Sequence, residues 1–152
     1  MDRKIIFKGK HIHALPQNEH HDGTWVYGYL CDESYINTVD EDEYGGKFTS
    51  EMLIDPETVC QYTGLTDKNG RKIFEGDIIT YQHDNDDCPF SNKDTKRRIG
   101  RVYFQEFRSC FAVAEGKNGS DMINQDLFKY VQNGNRVEVI GNIFDNPELM
   151  EV

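Results

Sequence analysis

Long apolar runs are missing from this sequence. No stretch approaches the roughly 20 residues that a membrane-crossing helix needs. Proline occurs only 4 times and tryptophan once, and the 13 glycines show no period. These absences exclude collagen-like and helical-membrane classes, and no heptad pattern points to a coiled coil. Paired cysteines are also missing. Cys31, Cys60, Cys88 and Cys110 are spaced by 29, 28 and 22 residues. Zinc sites bring ligands in close pairs, and secreted disulfide frameworks are denser in cysteine. The cysteines therefore read as reduced, with Cys31, Cys60 and Cys110 in apolar contexts as small core hydrophobes. Positive charge is scarce too: 17 Lys+Arg stand against 27 Asp+Glu, a formal net charge of −10. Such a surface repels nucleic acid and anionic lipid at long range.

Catalytic signatures are absent. There is no Gly-x-Ser-x-Gly elbow, no phosphate-binding Gly-x4-Gly-Lys-Ser/Thr and no Gly-x-Gly-x-x-Gly after a strand. His11-Ile12-His13 puts two imidazoles on one face of an extended segment, near His20-His21-Asp22. Without a cysteine pair or a His-Glu-x-x-His helix these are read as surface histidines. Asp84-Asn85-Asp86-Asp87 opens like a calcium loop, but Cys88-Pro89 and Thr95 occupy positions where that loop needs Asp/Asn, Gly and Glu. No catalytic, cofactor or metal residue is assigned.

What is present is β character. The chain has 152 residues, enough to bury roughly 68–70% of its unfolded surface. Mean hydropathy is −0.72, yet aromatics make up 12% and cluster, which argues for a packed core. Thr24-Trp25-Val26-Tyr27-Gly28-Tyr29-Leu30 reads as a strand after an Asp22-Gly23 turn, and 34–39 as a second. The acid run 40–43 with Tyr44-Gly45-Gly46 reads as a solvated loop. Asp55-Pro56-Glu57 starts a helical turn: a cap, a first-turn proline and an acid facing the dipole. Segments 60–65 and 71–74 flank Asp67-Lys68-Asn69-Gly70 and predict a hairpin, because Asn-Gly supplies positive φ. Glu75-Gly76 is a further turn and 77–81 a strand buried on both faces. Residues 83–98 read as a polar loop, 99–104 and 110–114 as strands, and Lys117-Asn118-Gly119-Ser120 as a turn. Ile123, Leu127 and Val131 space a short helix. Segment 136–144 is a strand with a bulge or close approach at Gly141. Asn146-Pro147 opens a last helical turn.

The expected fold is mainly β, with a strongly bent sheet or SH3-like partial barrel in the C-terminal part and short helical turns only. Two parts are expected: an acidic β-rich 1–56 and a barrel-like 57–152. Acidity is concentrated early, since residues 1–62 hold 5 basic and 12 acidic side chains. The basic cluster Lys93, Lys96, Arg97, Arg98 and Arg101 is the candidate binding patch. Lys68, Arg71 and Lys72 would extend it into a stripe, and Tyr81, Phe90 and Tyr103 would offer stacking faces.

Two segments resemble the YopX family. One is the 26-residue run 54–79, Ile-Asp-Pro-Glu-Thr-Val-Cys-Gln-Tyr-Thr-Gly-Leu-Thr-Asp-Lys-Asn-Gly-Arg-Lys-Ile-Phe-Glu-Gly-Asp-Ile-Ile. The other is 139–149, Val-Ile-Gly-Asn-Ile-Phe-Asp-Asn-Pro-Glu-Leu. Together they cover about a quarter of the chain, and Trp25-Val26-Tyr27-Gly28-Tyr29-Leu30 also fits. The resemblance implies a small phage or prophage protein of Gram-positive bacteria, β-rich and plausibly oligomeric, and transfers no catalytic residue. Read physically, the 61–77 turns set strand register rather than hold reacting groups. The expected function is non-enzymatic binding in the bacterial cytoplasm. Expected partners are further copies of the chain and an unidentified host or phage protein, with no membrane and no cofactor. Nucleic-acid binding through the basic cluster, acidic DNA mimicry and a cryptic hydrolase built on Cys110 or His83 are the alternatives.

Overall fold

The computed structural model describes residues 3–12, 21–82, 97–116, 126–132 and 134–151. Two units divide the chain, 1–62 and 63–152. Strands dominate both, as expected, and all pairings are antiparallel. Among the described residues there is one α-helix, and no helix is long and apolar enough to cross a membrane.

The first unit holds β1 (Phe7–Ile12), β2 (His21–Asp32), β3 (Tyr35–Glu41), β4 (Lys47–Leu53) and the start of β5 (Cys60–Thr66), in the order β4-β3-β2-β1-β5. The Asp22-Gly23 pair, expected as a turn, lies inside β2, at the irregularity where the register with β1 shifts between Lys10 and Ile12. Asp40 and Glu41, expected in the acidic loop, continue β3, because Phe48 and Lys47 pair opposite them. The turn itself is capped by Asp42, whose Oδ1 accepts from the N–H groups of Tyr44 and Gly46 at 2.9 and 2.7 Å. Val26, Ile36 and Ile54 form the core, with Phe7, Met52 and Val59 packed on it. Lys8 is also buried; its ammonium lies 4.5 Å from the Trp25 ring centre, with that of Lys10 at 5.4 Å. Cys31 is exposed, not a core residue: the β2 register against β3 shifts between Leu30 and Asp32, at Cys31 itself. The Asp55-Pro56 signal yields a 3-10 turn, Pro56–Thr58, with Asp55 Oδ1 accepting from Glu57 N–H at 3.0 Å.

The second unit holds the rest of β5, β6 (Lys72–Phe74), β7 (Asp77–Gln82), β8 (Arg97–Gln105), β9 (Cys110–Glu115), α1 (Leu127–Val131), β10 (Glu138–Asn142) and a 3-10 turn, Pro147–Met150. Strands β10-β7-β8-β9 make an open four-stranded sheet. Their order does not close into a barrel. Residues 83–96, the 117–120 turn and Ile123 lie outside the described residues, but Arg97 and Arg98 are strand, not loop. Nine buried residues form the core: Ile73, Ile79, Tyr81, Val102, Val113, Leu127, Tyr130, Val137 and Val139. Leu127 and Tyr130, one helical turn apart, carry α1 into it. The bulge expected at Gly141 is present, where the β10–β7 register shifts between Val139 and Gly141. A Cβ there would stand 2.5 Å from Asn146 Oδ1, so only glycine lets the last turn fold back this closely.

Candidate functional site

The two segments that carry the family resemblance meet in the second unit, and their polar groups face inward. Asp67 is buried. Its Oδ1 accepts from Asn69 and Arg71 N–H, both at 2.9 Å, and its Oδ2 accepts from Val139 N–H at 3.0 Å. One carboxylate thus closes the Asn-Gly turn and ties it to β10, 72 residues later in the chain. Asp77, also buried, accepts from Phe74 N–H at 2.8 Å and closes the Glu75-Gly76 turn. Thr63 Oγ1 donates to the Ile73 carbonyl at 2.8 Å. Asn142 Oδ1 accepts from Phe144 and Asp145 N–H at 3.0 and 2.9 Å, and its amide donates to Asp145 Oδ2 at 3.0 Å. Gly64, Gly70 and Gly76 sit at φ of 87°, 81° and 84°, the left-handed region that glycine enters most easily. Charge-assisted bonds to backbone N–H groups are among the stronger hydrogen bonds in a protein. The arrangement specifies a fold, and these carboxylates have little capacity left for a substrate.

The basic cluster is divided by its strand. Lys93 and Lys96 lie outside the described residues. Along β8 side chains alternate, so Arg97 and Arg101 share one face and Arg98 takes the other. Arg97 Nη2 donates to Thr80 Oγ1 at 2.6 Å and stands 3.9 Å from Glu138 Oε2. Lys68 Nζ reaches that same oxygen at 3.0 Å, so Glu138 answers two cations. Arg98 Nη1 pairs with Glu115 Oε2 at 2.9 Å. The Arg101 guanidinium lies 5.1 Å from the Tyr103 ring centre. Tyr81 and Tyr103, expected as stacking platforms, are buried at 2% and 8% exposure, and Tyr81 packs on Tyr130 at 4.7 Å. Burial pushes both the Tyr81 and Tyr130 phenols up, with the Glu115 charge adding to each. The three described arginines of the cluster thus stand on two faces of β8, and Tyr81 and Tyr103 are buried rather than offered as stacking faces.

Cys110 is half-buried. Its Sγ donates to Asp126 Oδ1 at 3.3 Å, and Arg108 Nη2 reaches the same oxygen at 3.0 Å. Burial pushes the thiol up, and the Asp126 carboxylate pushes it further, against the opposing Arg108 charge. A nucleophilic cysteine needs the reverse, a depressed pKa. His83 lies outside the described residues. Among the described residues no three His, Cys, Asp or Glu side chains converge to hold a metal.

Exposed large apolar side chains occur in both units, with Phe104, Phe107 and Phe128 in the second; several of those in the first share one sheet. Tyr27 is 53% exposed, Tyr29 58%, Val39 50% and Phe48 48%. Tyr29 pairs opposite Asn37, and strand alternation brings Tyr27 and Val39 to the same face. Strand β4 went unrecognised in the sequence. Its signal was the Phe48-Ser50-Met52 alternation after Gly45-Gly46, too short beside two charges to stand out.

A family model for "YopX protein" matches residues 4–151, nearly the whole chain. The chain belongs to the YopX family. As in the crystal structure of protein EF1440 from Enterococcus faecalis, the YopX chain follows one overall fold: the two superpose with a TM-score of 0.50 at 19% identity, over 97% of this chain and 99% of that one. None of the curated proteins matches it.

Proposed function

We propose that this YopX-family chain is a phage- or prophage-encoded, non-enzymatic binding protein of the bacterial cytoplasm that associates with copies of itself. The first unit is the contact surface. One observation carries the reading: Tyr27, Tyr29 and Val39 stand at least half exposed on a single sheet face. Singly exposed apolar residues are ordinary, but a contiguous group on a rigid sheet marks an interaction site. Aromatic side chains also dominate contact energetics where they are buried between partners. In the second unit, by contrast, the buried Asp67 and Asp77 bond to backbone, and Arg97, Arg98 and Arg101 have hydroxyl, carboxylate or ring partners.

Light scattering after size exclusion tests the reading. The expected mass is a multiple of the 17.6 kDa chain. Tyr27→Ser with Tyr29→Ser should lower it toward the single-chain value while leaving the fold intact. A single-chain mass at every concentration up to about 100 μM, where even weak specific complexes assemble, overturns the reading.

A further inference from the structure

We infer that β4 is the self-association edge, and that two copies pair antiparallel about Thr49. This rests on the self-association reading and names its geometry. Strand β4 ends the strand order of its sheet, and among the described residues no strand pairs with its outer side. It is also the most regular strand of its unit: seven consecutive pairs with β3, from Tyr35↔Leu53 to Glu41↔Lys47, run without a register shift. Natural edges are blunted by bulges, prolines, short length or charge. Lys47–Leu53 has no bulge and no proline, and its only such device is the Lys47 and Glu51 charges. Residues 47, 48, 49 and 51 are exposed.

The sequence of the edge is complementary to itself. Pairing Thr49 with Thr49 of a second copy sets Lys47 opposite the copy's Glu51, and Glu51 opposite its Lys47. By alternation all three lie on one face of the strand. Among the described residues neither Lys47 nor Glu51 is engaged in an ion pair within its own chain. On the other face Phe48 meets Ser50 of the copy, leaving room for the ring. Opposite charges directly across strands are favourable, and like charges are not. A two-fold pairing counts each Lys–Glu contact twice and satisfies a whole row of backbone groups at once. Thr49 also pairs with Val39 across β3, so the joined edge continues the exposed Tyr27–Tyr29–Val39 face.

The test uses charge exchange and crosslinking in the full chain. Glu51→Lys, which faces uncharged Asn37 within its own sheet, should weaken self-association about tenfold by setting lysines opposite one another. Adding Lys47→Glu should restore it. Thr49→Cys, made with Cys31→Ser, should crosslink under mild oxidation, and Ser50→Cys in the same background should not. Unchanged circular dichroism and urea midpoint show that each variant folds. A single-chain mass for the unaltered protein overturns the self-association reading itself. An assembly indifferent to the charge exchange and uncrosslinked at position 49 overturns the edge pairing alone.

Discussion

The two units differ in the size of their cores and in how their buried polar groups are held. In the second, nine buried residues make the core and buried acids bond to backbone: Asp67 to three N–H groups, Asp77 to one. In the first, three buried residues make the core, while Tyr27, Tyr29, Val39 and Phe48 remain on the surface. The difference separates what a chain conserves energy for from what it presents. The segments that carry the family signature build turns and register. The exposed face of the first unit carries only the short Trp25–Leu30 part of that resemblance.

The comparison breaks most visibly at Asp67. If its role is structural, Asp67→Ala leaves three backbone donors without their acceptor, two in the turn and one in β10. The expected loss is about 3 kcal/mol, from lost charge-assisted bonds and desolvated N–H groups. Urea unfolding should show it as a lower midpoint. A near-neutral effect on stability with loss of a binding activity would instead make the signature a site. Gly141→Ala comes next. Its Cβ would drive against Asn146 Oδ1, which accepts from Asn142 N–H at 3.3 Å. The expected cost is about 1–2 kcal/mol, in the range of small overpacking. The matching change in the first unit, Tyr29→Ser, should shift the midpoint by less than about 0.5 kcal/mol, as exposed positions do, while lowering the assembled mass.

Glu75 sharpens the contrast through pH. Burial raises its carboxyl above the ordinary carboxylate value. The folded state therefore holds that proton more tightly than the unfolded chain does. Its contribution is full below the ordinary carboxylate pKa and is lost as pH rises through the raised folded value. Glu75→Gln should stabilise the protein slightly at pH 7 and change nothing at pH 3.5. Unfolding midpoints at the two pH values check this. A destabilised variant at pH 7 would mean that the carboxylate has an ionic role there.

Legibility in the sequence followed how local the cause was. The Asn69-Gly70 hairpin, the Gly141 bulge and the Asp55-Pro56 turn need only neighbouring residues and glycine stereochemistry, so they were readable. Strand β4 was not, because its state is imposed by pairing with β3. Glu41 read as loop for the same reason: it is held as strand opposite Lys47, across the turn. Lys8 and Lys10 obscured β1, since a lysine whose ammonium rests on Trp25 packs like a partly apolar residue while reading as charge. Arg97 and Arg98 looked like the end of a polar loop, yet β7 pairs with them at Gln82 and Tyr81, and their side chains reach Thr80 and Glu115, both 17 residues away. The candidate patch illustrates the same ground, since β8 sets Arg97 and Arg101 on one face and Arg98 on the other. Residue type is visible in sequence, whereas the face a strand assigns to each residue is not.

Cysteine reactivity carries the comparison to its finest scale. Cys31 in the first unit is exposed, Cys60 is buried, and Cys110 in the second unit has its thiol bonded to Asp126. The thiolate is the species that alkylating reagents capture. Among the described cysteines, at pH 7.5 Cys31 should therefore react first, Cys110 several-fold more slowly and Cys60 only on unfolding, read by mass spectrometry of each cysteine peptide. The two charges beside Cys110 make opposite predictions. Asp126→Asn removes the carboxylate that favours the neutral thiol and frees Arg108 from its 3.0 Å pair, so labelling should quicken. Arg108→Ala leaves that carboxylate unopposed, so labelling should slow. If Cys110 instead reacts as fast as Cys31 at pH 7.5, or if Asp126→Asn slows it, the thiol is poised rather than tied. The second unit would then hold a reactive group after all, and the division between a folding unit and a contact unit would fail at that residue.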